Sequence, residues 1–355
     1  MELALTLSTL GAAAPLRGVR RRLDAAGYRA QHAGLAASLG LLLQAWHRLL
    51  SPEHPQPTAR DLERLVARFD ALLGEDLANV ERGVYPRALL FQIPYGEYLR
   101  VLPALLADAP RIFKRSRRGD FADLPAAAEP ERYPAYYRRT FHWQTDGWLS
   151  DRSARLYDVS VEILFGGVAD VMRRMALPPV VELARRSPDL RVLDLACGTG
   201  RFLHQLHRAA PRARLTGLDL SPNYVVRARA LLEGTGTELR IGNAEAIPAE
   251  DASFDAVTSV FLFHELPGDA RRNVAREALR VLRPGGRFVL CDSAQLAEGA
   301  ELGFFLERFH ELYHEPYFKG YLRDDLTSLL TEVGFQSASA APRFVSKVVV
   351  GTKAG

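Results

Sequence analysis

The chain has 355 residues, 48% of them hydrophobic and 25% charged, with a formal net charge of +4; this describes an ordinary globular protein, long enough for two domains or for one large domain with an extension. No block interleaves basic and aromatic residues as a nucleic-acid platform does, and no apolar stretch approaches bilayer length, so neither a nucleic-acid partner nor an integral membrane segment is expected. Two cysteines, Cys197 and Cys291, exclude a disulfide framework and suit a reducing compartment, which makes a cytoplasmic protein the expectation.

Residues 1–115 read as a helical N-terminal domain. The opening "MELALTLSTLGAAAPL" is apolar but lacks the basic start of a secretory signal, so it reads as part of the fold. After the Pro-rich loop "SPEHPQPT", Leu62, Leu65, Val66, Phe69, Leu72 and Leu73 share one helical face. Thr58 with Asp61 three residues later is the pattern of a capping box at that helix's start.

Composition changes sharply in "KRSRRGDFADLPAAAEPERYP" (114–134), which reads as a linker. The basic run Arg111 to Arg118 suits a solvated face, or a surface touching anionic lipid. Residues 116–180 are therefore divided between linker and an aromatic-rich lid or connecting helix. In "YPAYYRRTFHWQTDGW" the residues Tyr133, Tyr136, Tyr137, Phe141, Trp143 and Trp148 are too dense for a solvated linker. They either seal the helical domain against the rest or line an apolar acceptor pocket at the junction.

From residue 181 to 355 short apolar runs alternate with amphipathic stretches: "RVLDLA", "ARLTGLDL", "ELRIG", "FDAVTSVFLF", "GRFVLCDS" and "RFVSKVVVG". Strands alternating with helices predict an α/β fold, a mostly parallel sheet covered on both faces, with right-handed crossovers. Ligands of such sheets bind beyond the carboxyl ends of the strands, where the strand order reverses.

The first of these strands ends in Cys197-Gly198-Thr199-Gly200, a turn that lets a ligand approach bare backbone. A dinucleotide fingerprint needs a third glycine three residues on, where Leu203 stands, and no Lys-Ser or Lys-Thr follows to make a phosphate-binding loop. Asp194 lies just before the glycines, where it would repel phosphate but suit an ammonium or a sulfonium. Asp219, at the end of the second strand, is placed to hold ribose hydroxyls. Together they describe a nucleoside bearing an amino-acid tail.

At this point the segment from Val192 to Ser293 resembles a class I S-adenosylmethionine-dependent methyltransferase, with "VLDLACGTG", "GLDLSP", "GNAEAIP", "FDAVTSV" and "VLRPGGRFVL" in that family's order. The resemblance implies a Rossmann-like, mostly parallel seven-stranded sheet with S-adenosyl-L-methionine as cofactor. It implies that Gly198, Gly200 and Ala196 meet the methionine moiety, that Asp194 supports its amino group, and that Asp219 binds the ribose. Leu220 would flank the adenine, and Asn243, standing where the family commonly has Asp, would take its amino group with the Ala244 N–H on the ring. Val260 completes this set. "RSARLYDVSVEILFGG" resembles the helix before the first motif in the quinone C-methyltransferase branch, and implies a cofactor lid built on Tyr157 beside Asp158 rather than a quinone substrate.

Methyl transfer is mainly a matter of alignment, with a base needed where the acceptor must lose a proton. His264 and Glu265, just past the fourth strand, are the candidate catalytic pair, although a helix-start histidine bonded to backbone is an equal reading of His264. "HELYH" (310–314) has the spacing of a zinc protease motif. No further ligand follows at a recognised spacing, so no metal is expected; the segment reads as a cap inserted near 296–325, or as plain packing. The candidate acceptor-binding residues are Phe141, Trp143, Trp148 and Phe261 on one side, and His310, Tyr313, His314 and Tyr317 in the cap.

The expectation is a methyltransferase acting on a small, partly apolar acceptor, with the N-terminal helical domain shaping the acceptor site or a homodimer interface. The alternative is a non-catalytic cofactor-binding or scaffold protein on the same fold.

Overall fold

The short apolar runs of the C-terminal half are closed by glycine, proline or serine, and they form the strands of one sheet. These are β1 (Arg191–Leu195), β2 (Arg214–Asp219), β3 (Glu238–Ile241), β4 (Phe254–Val260), β5 (Leu282–Ser293), β6 (Ser337–Arg343) and β7 (Ser346–Thr352). In this computed structural model, which describes residues 22–41, 56–118, 120, 124, 132–141, 145–187, 189–313 and 315–355, their spatial order is β3-β2-β1-β4-β5-β7-β6. β1 to β5 pair in parallel, and β7 runs antiparallel between β5 and β6. The sheet is the Rossmann-like, mostly parallel seven-stranded one. β6, "SASAAPR", has no strand signature; small residues at a sheet edge need only satisfy β7.

Chain order reverses at β1, which has β2 on one side and β4 on the other. The turns leaving β1 and β4 therefore face each other across a crevice. Both strands end on residues in the left-handed region, Ala196 at φ 53° and Phe261 at φ 58°, where a side chain is strained. Gly198 and Gly200 follow at φ 56° and 83°, conformations that favour glycine.

Helix α1 covers 22–41, α2 Ala59–Glu81 and α3 Tyr95–Arg118. The Thr58 capping box forms as the sequence implies, with Asp61 returning a bond to the Thr58 N–H. The buried stripe of α2 differs from the expected one. Leu72 and Leu73 are buried and Leu65 and Phe69 partly so, while Leu62 and Val66 are 46% and 58% exposed. The stripe instead continues through Asp76, which no apolar pattern can reveal. α3 also runs through the supposed linker start to Arg118, so the basic run lies on a helix rather than in a loop.

Between these helices and the sheet lie α4 (Asp151–Leu164), α5 (Ala169–Arg174) and α6 (Leu177–Arg186). Leu72, Leu73, Tyr85 and Leu89 join the same apolar cluster as Val192, Leu203 and Ala256 of the sheet domain. One core spans both regions. At its centre the fully buried Asp76 carboxylate accepts from Tyr28 and Tyr85 hydroxyls and from Arg174 of α5, Nε at 2.9 Å and Nη2 at 2.5 Å.

Removing one partner of a buried pair leaves an uncompensated charge, so Asp76→Ala should destabilise the protein by about 3–5 kcal/mol. A denaturant midpoint unchanged from wild type would contradict this. A chain lacking 1–115 bares the same arginine and the apolar surface that Tyr28, Leu72, Leu73, Tyr85 and Leu89 cover, and should aggregate on expression; a soluble, monomeric, cooperatively unfolding fragment would show that the sheet region closes its own core.

Candidate active site

α7 (Arg201–Ala209) begins directly after the glycine turn because its apolar positions Phe202, Leu203 and Leu206 face the sheet. The turn itself is tied to three acids on three different elements. The Gly198 N–H donates to Asp219 at 2.8 Å, the Thr199 hydroxyl to Asp158 of α4 at 2.8 Å, and the Arg201 guanidinium to Asp170 of α5. A Cβ on Gly198 would meet no protein atom within 4 Å. The turn therefore presents bare backbone to open space.

That space is a cleft of about 760 Å³ counted with its open mouth. Of the expected cofactor residues, Ala196, Gly198, Asp219, Leu220, Asn243, Ala244, Val260 and Tyr157 all line it. Asp194 and Gly200 do not. Asp194 lies beneath the turn, its carboxylate accepting from the Thr258 hydroxyl at 2.7 Å, and burial pushes its pKa up to about 7. A Cβ on Gly200 would lie 2.8 Å from Leu232, so that glycine serves packing as well as the turn. Asp219 also accepts from the Ser221 N–H at 2.8 Å, and burial holds its pKa at about 6.

The aromatic segment serves two purposes. Tyr136, Tyr137 and Trp148 line the cleft, joined by Tyr224 of α8 (Pro222–Leu231). Phe141 stands behind them, fully buried, its ring stacked on Trp148 at 4.2 Å. Phe261 completes the wall opposite, stacked on Phe165 at 5.5 Å. Trp143 and His314 lie outside the described residues.

Beyond β4, a short 3₁₀ turn (Phe263–Glu265) carries the expected catalytic pair. Glu265 lines the cleft; His264, 2% exposed, lies behind it with Nε2 3.7 Å from the Glu265 carboxylate. The His264 Nδ1–H donates to Asp292 at the end of β5, at 2.6 Å. Burial alone would lower the imidazole pKa, but the Asp292 carboxylate beside it outweighs burial and raises it. His264 is thus bonded to the Asp292 carboxylate.

α9 (Gly268–Val281) leads from the 3₁₀ turn into β5, and the insertion after β5 contains α10 (Leu296–Gly299), α11 (Gly303–Leu312) and α12 (Phe318–Tyr321). The insertion covers His264: the rings of Phe318 and Tyr321 stand edge-on to that imidazole, each 6.1 Å away. His310, Tyr313 and Tyr317 stand outside the cleft wall. Tyr313 packs on Phe309 at 4.8 Å, and the Tyr317 hydroxyl accepts from Arg139 at 3.1 Å. His310 of "HELYH" is not in the metal-competent group found among the described residues, which is His264, Glu265 and Glu315, all buried. Asp292 and Glu315 escaped the sequence reading. An acid at a strand's carboxyl end, the signal that marked Asp219, would have found Asp292; nothing in the local pattern marks Glu315.

A family model described as a methyltransferase domain matches residues 192–286. A ubiquinone/menaquinone biosynthesis C-methyltransferase of Dinoroseobacter shibae is 31% identical over 191 residues, covering 51% of this chain and 72% of that protein. The chain belongs to the class I S-adenosylmethionine-dependent methyltransferases. A protein of that C-methyltransferase description from Desulfotalea psychrophila is 35% identical over 150 residues, 42% of this chain and 58% of its own. A demethylmenaquinone methyltransferase of Thermotoga maritima is 37% identical over 145 residues, 41% of this chain and 59% of its own. The chain thus spans about three-fifths of the length of these last two relatives. S-adenosylmethionine is the cofactor of this family, and the bare turn at Gly198 with Asp219 at the cleft's edge fits it.

If the cofactor's ammonium sits over Asp194, it will favour the ionised carboxylate. Binding should then release a proton and tighten as pH rises through about 7, because the raised pKa leaves Asp194 largely protonated below that value. Calorimetry in buffers of different ionisation enthalpy checks this. Asp194→Asn should abolish that part of the release, and equal release from wild type and variant would remove Asp194 from cofactor recognition.

Proposed function

We propose that this methyltransferase transfers a methyl group to a small, flat, partly apolar acceptor bearing an ionisable hydroxyl, such as the reduced form of a quinone of the class that the relatives' names mention. The observation that supports this reading is one cleft that combines the glycine turn, Asp219, an aromatic wall and the Glu265 carboxylate. Bound S-adenosylmethionine supplies an electrophilic methyl group on a sulfonium. The chain's own residues divide into those that hold it and those that present the acceptor.

Asp219 accepts from the ribose hydroxyls while keeping its backbone donors, since a carboxylate offers about four lone-pair sites. Leu220 and Ala244 flank the adenine, and the Asn243 side chain takes its amino group. Tyr157, Val260 and Ala196 surround the methionine end, with Asp194 supporting it from below. Trp148, Tyr136 and Phe261 then leave a flat, apolar slot for the acceptor ring. Glu265 meets the acceptor's polar edge, and His264, held by Asp292, fixes the Glu265 side of the site. Exclusion of water by the aromatic wall favours transfer to the acceptor over solvent, and alignment supplies much of the rate.

Asp219→Ala should weaken cofactor binding roughly ten- to 150-fold, the equivalent of about 1.5–3 kcal/mol for a charged hydrogen bond. An unchanged dissociation constant by calorimetric titration would overturn the cofactor placement. His264→Ala and Glu265→Gln should each lower turnover by roughly 10²–10⁴-fold with cofactor affinity intact, read with methyl-labelled cofactor and a panel of quinols. Full turnover in both variants would show that alignment alone carries the reaction.

A further inference from the structure

We propose that His264, Glu265 and Glu315 together form a binding site for a divalent first-row metal cation at the inner end of the cleft. One donor atom from each lies within 4.8 Å of those of the other two, and all three residues are buried. The donors come from two elements that meet only in the folded chain. His264 and Glu265 sit on the 3₁₀ turn after β4, and Glu315 on the cap segment between α11 and α12.

The histidine is prepared for such a role. Its Nδ1–H is donated to Asp292, which itself accepts from the Phe263 and Ser293 N–H groups at 2.7 Å each. That fixes the tautomer and aims Nε2 at Glu265. A carboxylate behind a histidine is the arrangement that orients metal-ligating imidazoles and raises their basicity. Phe318 and Tyr321 close the other side of the ring, which limits water and strengthens charge interactions.

Charge points the same way. Three carboxylates, those of Asp292, Glu265 and Glu315, surround one imidazole, with each residue at most 7% exposed. Arg271, within reach of Asp292, is engaged by Asp324 at 2.9 Å and lies over the Tyr321 ring at 5.6 Å. Such a group takes up positive charge, as a proton or as a cation that replaces it. One imidazole with two carboxylates is a mixed nitrogen and oxygen set, suited to Mn²⁺, Fe²⁺ or Zn²⁺. Three protein ligands leave positions for water or substrate, as catalytic metal sites do. Glu265 is the ligand that lines the cleft, so those positions face the acceptor. This part rests on the methyltransferase reading: an acceptor hydroxyl on the cation ionises more readily, its proton passing to solvent at the mouth.

The test uses the full chain freed of metal with a chelator and then dialysed. Titration with Mn²⁺, followed by loss of the free-ion paramagnetic resonance signal, and with Zn²⁺ by equilibrium dialysis, should each find about one site per chain. Asp292→Asn should weaken binding roughly 10–100-fold. Glu315→Gln should weaken it at least as much, whereas His310→Gln should leave it unchanged. Mn²⁺ should also raise the thermal midpoint of wild type, a readout that stands if Glu315→Gln fails to fold. Absence of binding to wild type, or binding that depends on His310 and not on Glu315, overturns the proposal. Calorimetric binding of S-adenosylmethionine to the same metal-free protein keeps the two readings separate. Cofactor binding without cation binding removes only the cation site, whereas failure of the cofactor to bind removes the methyltransferase reading itself.

Discussion

The hydrogen bond from the Gly198 N–H to the Asp219 carboxylate joins the first motif of the cleft to the second, and much else follows from it. It fixes the distance between the carboxyl ends of β1 and β2 at the point where chain order reverses. The neighbouring bonds, Thr199 to Asp158 and Arg201 to Asp170, bring two helices from outside the sheet onto the same turn. A left-handed turn would be costly on its own, because Ala196 cannot reach φ 53° without strain. Three acids on three elements hold it there. The turn is therefore formed before any ligand arrives, and little ordering remains to oppose binding.

These anchors explain why the helical region is inseparable from the cleft. Asp170 on α5 receives both Arg201 of the glycine turn and Arg173 of its own helix at 2.7 Å. Glu162, at the end of α4, caps α5 by accepting from the Ala169 and Asp170 N–H groups at 3.0 and 2.8 Å. Burial, with the Asp170 carboxylate beside it, raises the Glu162 pKa above the usual carboxylate range. Next along α5, Arg174 reaches Asp76 of α2. One short helix thus carries the charge partners of the turn on one side and of the N-terminal helices on the other. Its position between the N-terminal helices and the glycine turn gives it more influence than its six residues suggest.

The sequence was most legible where local chemistry alone decides structure. Strands bounded by glycine and proline, the capping box at Thr58 and the glycine turn each depend on a few adjacent residues. Eight of the ten expected cofactor residues line the cleft, seven of them because the motif order places them at or just past the carboxyl ends of neighbouring strands, and Tyr157 from α4. The buried face of α2 was less legible. Leu62 and Val66 fit the helical period as well as Leu65 does, and only the position of α5 decides which side is covered. Asp76 was invisible because a carboxylate in an apolar stripe becomes intelligible only once Arg174, 98 residues away, is beside it. Glu315 was invisible for the same reason: its relation to His264 exists only through the folding of the cap.

The same separation in sequence explains the aromatic segment, which admitted two readings before the fold was known. Phe141 and Trp148 stack with an interplanar angle of 19°, so one ring supports the other. The buried partner belongs to the core, while the other presents a rigid face to the cleft. Core packing and pocket lining are therefore two layers of one structure, since the buried Phe141 ring fixes the angle of the Trp148 ring that lines the cleft. Ser221 strengthens that layer by donating its hydroxyl to the Trp148 carbonyl at 2.7 Å, directly after the Asp219 motif. The Trp148 wall of the cleft is thereby fastened to the strand end that carries Asp219, so the spacing between the aromatic wall and that carboxylate is set within the protein itself.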